Sequence, residues 1–294
     1  MVDLKSNKIN DIYLWFRSLL ASDEEETEKK AIGDEIFFRY FGLRPDKRVL
    51  NGNDRLSESD IVRLKKAAQR LNRGEPVQHI TGVTEFLGLD IHVDRSVLIP
   101  RNETEELTLL VGKEIEKIYD TGPPLHILDI GTGSGCIAIT LASRYRKCQL
   151  SAIEISEDAI SMAKRNADLH GTMIRFIHYD VLSADTLLFP SESLNCIVSN
   201  PPYVRNSEKI GMAANVLDYD PPGALFVPDD DPLLFYRVIA QKASRWLIKG
   251  GLLFFEINEN LSSDCRDVVL SADFSEAVII KDIHGKDRFI KARL

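Results

Sequence analysis

The sequence predicts an α/β protein in two parts, a helical amino-terminal segment followed by a domain built on a mostly parallel sheet. Over the first 75 or so residues, apolar side chains recur at helical spacing. From about residue 125 onward, short apolar runs alternate with helical patterns. Such alternation is typical of parallel strands whose connecting helices cover both faces of the sheet.

Seven apolar runs are the predicted strands of this sheet. Five have the continuous apolar character of buried strands, namely residues 125–130, 150–155, 174–179, 195–199 and 251–257. Helical patterns lie between most of them, as at 159–169 and 233–247. The last two runs, 278–280 and 289–292, are joined by a turn around Gly285, so these two strands must be antiparallel.

The helical segment and the region after it give the expected domain boundaries. Ser57 and Asp60 have the spacing of a capping box, and Gly42 is placed to cap the preceding helix, which is predicted over about 24–40. Two short strand patterns then flank Gly88 and predict a hairpin. The expected parts, in chain order, are a helical domain, a β-hairpin linker and the sheet domain, at residues 1–76, 77–101 and 102–294.

Composition narrows the classes of function. The net charge of −8 lacks the basic footprint of a duplex-binding protein, so no direct contact with nucleic acid is expected. No apolar run approaches the roughly 18 residues that a membrane span needs, and the start is polar, unlike a signal peptide. No two of the four cysteines form a C-x-x-C pair and the histidines are scattered, so we expect a cytoplasmic protein without a metal site.

A glycine-rich loop follows the first predicted strand. Gly131, Gly133 and Gly135 alternate with Thr132 and Ser134. Glycines let the backbone turn tightly and approach a ligand without a clash at Cβ. The spacing differs from the dinucleotide fingerprint and lacks the Gly-Lys-Ser/Thr ending of a phosphate-binding loop. The loop therefore suits a nucleoside ligand that has no pyrophosphate.

Carboxylates near the ends of successive strands extend this predicted site. Asp129 precedes the glycine loop, Glu154 lies at the end of the second strand, and Asp180 follows the third. A carboxylate at the place of Glu154 can accept hydrogen bonds from two ribose hydroxyls. Asp180 is placed to reach the exocyclic amine of adenine. Together with the glycine loop, these residues predict a site for S-adenosylmethionine.

The fourth strand leads into the tetrapeptide Asn200-Pro201-Pro202-Tyr203. Each proline fixes its own φ and biases the preceding residue away from the helical region, so the turn is stiff. Such a turn can direct the Asn200 side-chain oxygen and the Pro201 carbonyl toward one point as hydrogen-bond acceptors. Tyr203 is expected to pack against a planar substrate group.

Two acceptors at one point suit the methylation of a primary amide. The amide nitrogen is a poor nucleophile because its lone pair is delocalised into the carbonyl. Acceptors that hold both N–H bonds aim the nitrogen at a sulfonium methyl and favour the charge that develops there. Positioning of this kind contributes on the order of 7–11 kcal/mol when the reacting atoms lie about 3 Å apart. A general base is not required, because the methylated nitrogen is acidic enough to lose its proton to solvent.

Together these residues resemble the class I methyltransferases that modify planar nitrogens. The tetrapeptide is shared there by adenine, guanine and glutamine methyltransferases, so other segments must indicate the substrate. Residues 75–82, 98–105, 218–225 and 282–288 resemble the release factor glutamine methyltransferases of the PrmC/HemK type. The resemblance covers residues 75–294, whereas the remainder agrees in helical character only.

The resemblance implies a Rossmann-like domain with a seven-stranded sheet, and a helical domain that helps to bind class 1 peptide chain release factors. It implies that the glycine loop, Glu154, Val181 and Asn200 line the S-adenosylmethionine site. Asn200 to Tyr203 would hold the glutamine of the Gly-Gly-Gln motif for methylation at N5. A monomer is expected.

Three alternatives stay open. A sibling family methylates a glutamine of a ribosomal protein, but its corresponding segment lacks the Thr104-Glu105 pair seen here. An N6-adenine or rRNA guanine methyltransferase would use the same tetrapeptide, but it should flip a base and carry a basic channel. The third alternative is a non-catalytic module that retains the cofactor fold, against which the intact tetrapeptide argues.

Overall fold

The computed structural model describes residues 4–21, 25–118, 122–184, 188–212 and 214–294. The chain forms two compact units. The first comprises Met1–Val83 and Ala214–Tyr219, and the second comprises Thr84–Ala213 and Asp220–Leu294. Among the described residues, no helix is both long enough and apolar enough to cross a membrane.

The first unit is helical. Its amino-terminal helices are α1 Ile9–Leu19, α2 Glu26–Phe41, α3 Pro45–Leu50, α4 Glu58–Leu71 and α5 Val77–Thr81. Their apolar faces meet in a core that includes the fully buried Ile12, Phe16 and Phe37. The later segment that belongs to this unit is a short helix whose Tyr219 hydroxyl donates to the Arg73 carbonyl at 3.2 Å.

Helix ends in this unit follow the predicted capping signals. Gly42 adopts φ 68° at the end of α2, a conformation in which glycine avoids a Cβ penalty. Ser57 and Asp60 form the capping box: the Asp60 N–H donates to Ser57 Oγ at 3.2 Å, and the Ser57 N–H donates to Asp60 Oδ2 at 3.0 Å. Helices α3 and α5 were not predicted, because helices this short do not show a full apolar period. Glu24, the predicted start of α2, lies outside the described residues.

The predicted hairpin is present as β1 Val83–Phe86 and β2 Leu89–His92, which form a two-stranded sheet. Gly88 in the connecting turn has φ 85°. Helix α5 falls at the start of the segment expected to be the linker. The domain boundaries after residues 76 and 101 stay predictions.

In chain order the elements after the hairpin are α6 Asn102–Glu116, β3 His126–Ile130, α7 Cys136–Arg144, β4 Gln149–Glu154, α8 Glu157–Leu169, β5 Ile174–His178, β6 Leu194–Ser199, β7 Val204–Arg205, α9 Ala214–Tyr219, β8 Phe226–Val227, α10 Leu234–Trp246, β9 Leu247–Glu256, α11 Ser262–Leu270, β10 Glu276–Lys281 and β11 Asp287–Arg293. From β3 onward the elements alternate as expected, whereas α6, which precedes β3, was not predicted. Strands β7 and β8 are two residues long, were not predicted, and pair with each other in a separate two-stranded sheet.

Seven strands form the central sheet in the order β10-β11-β9-β6-β3-β4-β5. The five strands from β9 to β5 in this order are parallel, and β11 is antiparallel to both β9 and β10. The predicted seven-stranded, mostly parallel sheet is confirmed. Strand β3 has β4 on one side and β6 on the other, which makes it the switch point where ligands of such sheets bind.

Helices cover both faces of this sheet. On one face α6, α7 and α8 supply buried residues such as Val111 and Ile139. On the other face α10 and α11 supply residues such as Trp246. The consecutive residues Phe254 and Phe255 of β9 belong to opposite cores, as the alternation of side chains along a strand requires. Burial on both faces explains why the interior strands β3 and β6 appear as continuous apolar runs. The edge strand β5 was predicted to be buried, but it consists of exposed and half-buried residues because it has a neighbour on one side only.

A buried asparagine ties the hairpin to the glycine loop. Asn166 of α8 is fully buried. Its Oδ1 accepts from the His92 N–H at 2.8 Å, and its Nδ2 donates to the carbonyls of His92 and Ser134, each at 2.9 Å. These three hydrogen bonds all go to backbone groups, so Asn166 acts as a structural bridge between the hairpin and the glycine loop.

We predict that Asn166→Ala lowers the free energy of unfolding by on the order of 2–4 kcal/mol, because buried backbone groups at His92 and Ser134 lose their partners. Urea denaturation followed by circular dichroism measures the change. Ser161→Ala on the exposed face of the same helix is the matched control and should stay close to the wild type. An Asn166→Ala midpoint equal to that of the control would contradict this bridging role.

Candidate active site

A cavity of about 370 Å³ opens at the carboxyl ends of the parallel strands in the second unit. Ile130, Ile153 and Ser199, at or next to the ends of β3, β4 and β6, contribute to its wall. Most of the predicted site residues line it, namely Gly131, Thr132, Gly133, Ser134, Glu154, Asp180, Val181, Asn200, Pro201 and Pro202. The structure therefore brings the two sequence motifs to one cavity, of a size typical for small-molecule sites.

The glycine loop needs glycine for two different reasons. Gly131 has φ 72°, and its N–H donates to the Ile153 carbonyl at 2.9 Å, so the loop turns sharply at the end of β3. Gly135 has φ 83° and does not line the cavity. A Cβ there would lie 2.8 Å from Ile139 Cδ1 and 3.2 Å from Ala163 Cβ. Gly135 thus lets α7 and α8 pack closely behind the loop.

Asp129 also lies behind the loop. It is fully buried, does not line the cavity, and accepts a hydrogen bond from Thr132 Oγ1 at 2.6 Å. Burial raises the pKa of Asp129 to about 7, while the Thr132 hydroxyl acts in the opposite direction. In this structure Asp129 supports the loop, and a direct contact with a cofactor stays a prediction.

Backbone N–H groups hold the Glu154 carboxylate at the cavity wall. Its Oε2 accepts from the Gly133 N–H at 3.0 Å. Its Oε1 accepts from the N–H groups of Ile155 and Ser156 at 2.9 and 3.1 Å. A carboxylate offers about four acceptor positions and three are used here, so Glu154 can still accept one hydrogen bond from a ligand hydroxyl.

Asp180 occupies the adjacent part of the wall, just beyond β5. Its Oδ1 accepts from the Leu182 N–H at 2.8 Å, which fixes the turn after the strand. Val181 and Tyr179 line the cavity beside it. This part of the wall combines apolar surface with one carboxylate, a combination that suits a flat heterocycle bearing an amine.

The turn after β6 is anchored on both sides. Ser199 Oγ donates to the Ile130 carbonyl at 2.8 Å and so joins the ends of β6 and β3. Asn258 Nδ2 donates to the Tyr203 carbonyl at 3.3 Å. These bonds fix the two ends of the Asn200-Pro201-Pro202 segment relative to the sheet.

A chain of hydrogen bonds continues from the turn into the protein. Asn200 Nδ2 donates to Thr104 Oγ1 at 3.0 Å, and Thr104 Oγ1 donates to Glu256 Oε2 at 2.8 Å. The Tyr203 hydroxyl donates to Glu256 Oε1 at 3.1 Å. Tyr203 does not line the cavity, so its expected packing against the substrate stays a prediction.

Sequence reasoning missed several residues of the wall. Arg101 and Thr104 lie in a segment that carried the family resemblance, which was a signal for their involvement. Arg101 also forms an ion pair with the buried Asp220 at 2.7 Å, next to the cavity residue Pro221. Phe235 of α10 lines the cavity too, but in the sequence it looks like any core position of an amphipathic helix.

Two family models match parts of this chain. The family described as PrmC N-terminal domain matches residues 11–82, and the family described as Methyltransferase small domain matches residues 115–218. A solved methyltransferase structure from Pyrococcus furiosus is 16% identical, with a TM-score of 0.48 over 70% of this chain and 89% of that one. A score at this level does not bear on the family.

Full-length relatives identify the family. The release factor glutamine methyltransferase of Bacteroides thetaiotaomicron is 44% identical over 284 residues, which is 97% of this chain and 99% of that protein. The protein of the same name from Flavobacterium psychrophilum is 40% identical over 276 residues, 94% of this chain and 95% of that one. With such identity over nearly its whole length, this chain belongs to the release factor glutamine methyltransferase family.

Proposed function

We propose that this protein transfers a methyl group from S-adenosylmethionine to the side-chain amide nitrogen of the glutamine in the Gly-Gly-Gln motif of peptide chain release factors. One observation carries the proposal: Asn200, Pro201 and Pro202 line the same cavity as Gly131 and Glu154. A nucleoside site and a set of amide acceptors within one cavity suit methyl transfer to an NH2 group.

The residues that line the cavity suit the chemistry of the cofactor. Gly133 has a positive φ, and the space beside its Cα is open, because no atom lies within 4 Å of where a Cβ would be. A ligand can therefore approach the backbone closely at this position. Glu154 would accept a hydrogen bond from the ribose through its remaining acceptor position, and Asp180 would accept one from the adenine amine. Val181 and Phe235 supply apolar wall. When bound, S-adenosylmethionine supplies a methyl carbon made electrophilic by the attached sulfonium.

The residues of the turn would orient the substrate amide. Asn200 Oδ1 and the Pro201 carbonyl would each accept one N–H bond, which holds the nitrogen at the point where the cofactor site and the turn meet. Because positive charge develops on this nitrogen as its new N–C bond forms and the C–S bond breaks, two oxygen acceptors stabilise the transition state. The methylated nitrogen then releases its proton to water and the amide is neutral again.

The proposal also covers the protein partner, the cellular compartment and the oligomeric state. The relatives are named for release factors, and the match to the PrmC N-terminal domain supports release factor binding by the helical domain, residues 1–76. All four cysteines, Cys136, Cys148, Cys196 and Cys265, are free, which suits a reducing compartment such as the cytoplasm. We propose a monomeric enzyme there.

The direct test is mass spectrometry of a purified release factor after incubation with the protein and S-adenosylmethionine. We expect one added methyl group, located on the glutamine of the Gly-Gly-Gln motif. The matched control is a release factor with that glutamine replaced by alanine, which should gain none. Transfer of labelled methyl to DNA, rRNA or a ribosomal protein, but not to the release factor, would reject the proposal in favour of the alternative substrate.

Asn200→Ala should lower turnover by on the order of 100-fold or more, because an acceptor aimed at the developing charge is lost. The affinity for S-adenosylhomocysteine should stay within about tenfold of the wild type, since the glycine loop and Glu154 remain. Turnover is followed with labelled cofactor, and affinity by calorimetry. Wild-type methylation by this variant would remove Asn200 from the reaction.

Glu154→Ala should weaken S-adenosylhomocysteine binding by on the order of 1.5–3 kcal/mol, because a charged hydrogen-bond acceptor is lost. Calorimetry measures the difference. Glu157→Ala is the matched control, since Glu157 is an exposed carboxylate nearby that does not line the cavity. Equal affinities in the two variants would exclude Glu154 from the cofactor site.

A further inference from the structure

The hydrogen-bonded chain behind the turn sets which end of the Asn200 side chain faces the cavity. We propose that Thr104 and Glu256 are positioning residues that make Asn200 present its oxygen, rather than its NH2 group, to the substrate amide. The role in methyl transfer rests on the proposed function. The orientation itself depends only on contacts within the second unit.

The buried carboxylate of Glu256 fixes the polarity of the hydrogen-bonded chain, that is, which group donates and which accepts at each bond. An ionised carboxylate only accepts hydrogen bonds, so the hydroxyls of Thr104 and Tyr203 must both donate to Glu256. Thr104 has a single hydroxyl hydrogen, which this bond uses. Its oxygen can then only accept, and the group 3.0 Å away on Asn200 must be the NH2. Asn200 Oδ1 is thereby left as the end available to a ligand.

The polarity matters because the two ends of an asparagine side chain are almost identical in shape. Packing alone does not distinguish the two orientations. In the flipped orientation Oδ1 would oppose the Thr104 oxygen, two acceptors with no hydrogen between them. The NH2 group would then oppose the NH2 group of a substrate amide. Only the orientation set by Thr104 gives a donor–acceptor pair at both places.

The ionisation of Glu256 depends on its burial and on the groups that surround it. It is the last residue of β9 and is 1% exposed. Burial raises the pKa of Glu256 to about 7, while the hydrogen bonds from Thr104 and Tyr203 lower it. The charge of Glu103 raises this pKa and that of Arg288, which is also paired with Asp282, lowers it.

The protonation state of Glu256 determines the direction of the hydrogen bonds between Glu256, Thr104 and Asn200. At pH values well above its pKa the carboxylate is ionised and accepts from both hydroxyls, so the direction of each hydrogen bond is fixed. At pH values well below this pKa the protonated carboxyl can itself donate to Thr104, whose hydroxyl can then donate to Asn200. The orientation of Asn200 is lost in the same pH range.

Thr108 offers a matched control on the same helix. Thr104 and Thr108 are one turn apart on α6 and are 3% and 2% exposed. Thr108 Oγ1 donates to the Thr104 carbonyl at 2.8 Å, a bond inside the helix that does not involve Asn200. Replacing either threonine by valine removes one buried hydroxyl and keeps the branched shape.

The test compares Thr104→Val, Thr104→Ser and Thr108→Val with the wild type in methylation of the release factor. For Thr104→Val we expect kcat to fall by on the order of 10–100-fold, because the acceptor is no longer held in place. Thr104→Ser keeps the hydroxyl and should stay within about threefold, as should Thr108→Val. S-adenosylhomocysteine affinity should stay within about threefold in all of them, since the change lies at the substrate end of the site.

A second readout does not depend on activity. The side-chain NH2 signals of Asn200 in an NMR spectrum, assigned by their loss in Asn200→Ala, should exchange with solvent more slowly in the wild type and Thr104→Ser than in Thr104→Val.

A third readout is the pH profile of kcat. The wild-type rate should fall as the pH is lowered through about 7, and Glu256→Gln should lose that component because residue 256 no longer titrates.

Wild-type kcat in Thr104→Val, or an equal loss in Thr104→Ser, would overturn the proposal. A fall in S-adenosylhomocysteine affinity that matches the fall in kcat would also overturn it, because Thr104 would then be a cofactor-binding residue. If the wild type does not methylate the release factor, the proposed function fails. The NMR comparison still decides the orientation of Asn200, since equal exchange in Thr104→Val and the wild type rejects it.

Discussion

Parallel pairing of β3 with both β4 and β6 is the constraint on which the site depends. It brings the carboxyl ends of three strands to one edge of the sheet, so the loops that follow them must share a small volume. Backbone bonds across these ends then fix the loops. The Gly131 N–H donates to the carbonyl at the end of β4, and Ser199 Oγ donates to the carbonyl at the end of β3. A glycine loop and a Pro-Pro turn that are 65 or so residues apart in sequence thereby become two walls of one cavity.

The sequence was informative where the signal is local. Apolar runs predicted all seven strands of the sheet. The signal is clearest for the interior strands β3, β6 and β9, because burial on both faces leaves little polar alternation there. The glycine loop and the turn at Asn200 each lie within a few residues, so both could be located at strand ends. The strand ends themselves were less well placed: β9 begins at Leu247, four residues before its predicted start at Gly251. Its first residues are not all buried, so they do not continue the apolar run.

The polar support behind the turn could not be predicted, because it is made by residues far apart in the chain. Thr104 and Glu256 are separated by 152 positions, and Asn200 and Thr104 by 96. A threonine near a helix start and a glutamate at a strand end have no distinctive spacing to indicate that they meet. Asp129 differs, because its place before the glycine loop was visible in the sequence, whereas its burial behind the loop and its bond from Thr132 were not.

In the proposed role, the turn at Asn200 presents only hydrogen-bond acceptors to the substrate. This explains which substrates the tetrapeptide can distinguish and which it cannot. An amide NH2 and the exocyclic amine of adenine each bring two N–H donors in a plane, so Asn200 Oδ1 and the Pro201 carbonyl suit either of them. A carboxylate, which brings acceptors alone, is excluded, because it would set oxygen against oxygen without a hydrogen between them. In the proposed role, the turn would therefore distinguish glutamine from glutamate but would not distinguish a protein amide from a nucleobase. That second choice must lie in surfaces outside the turn, such as the helical domain proposed here to bind the release factor.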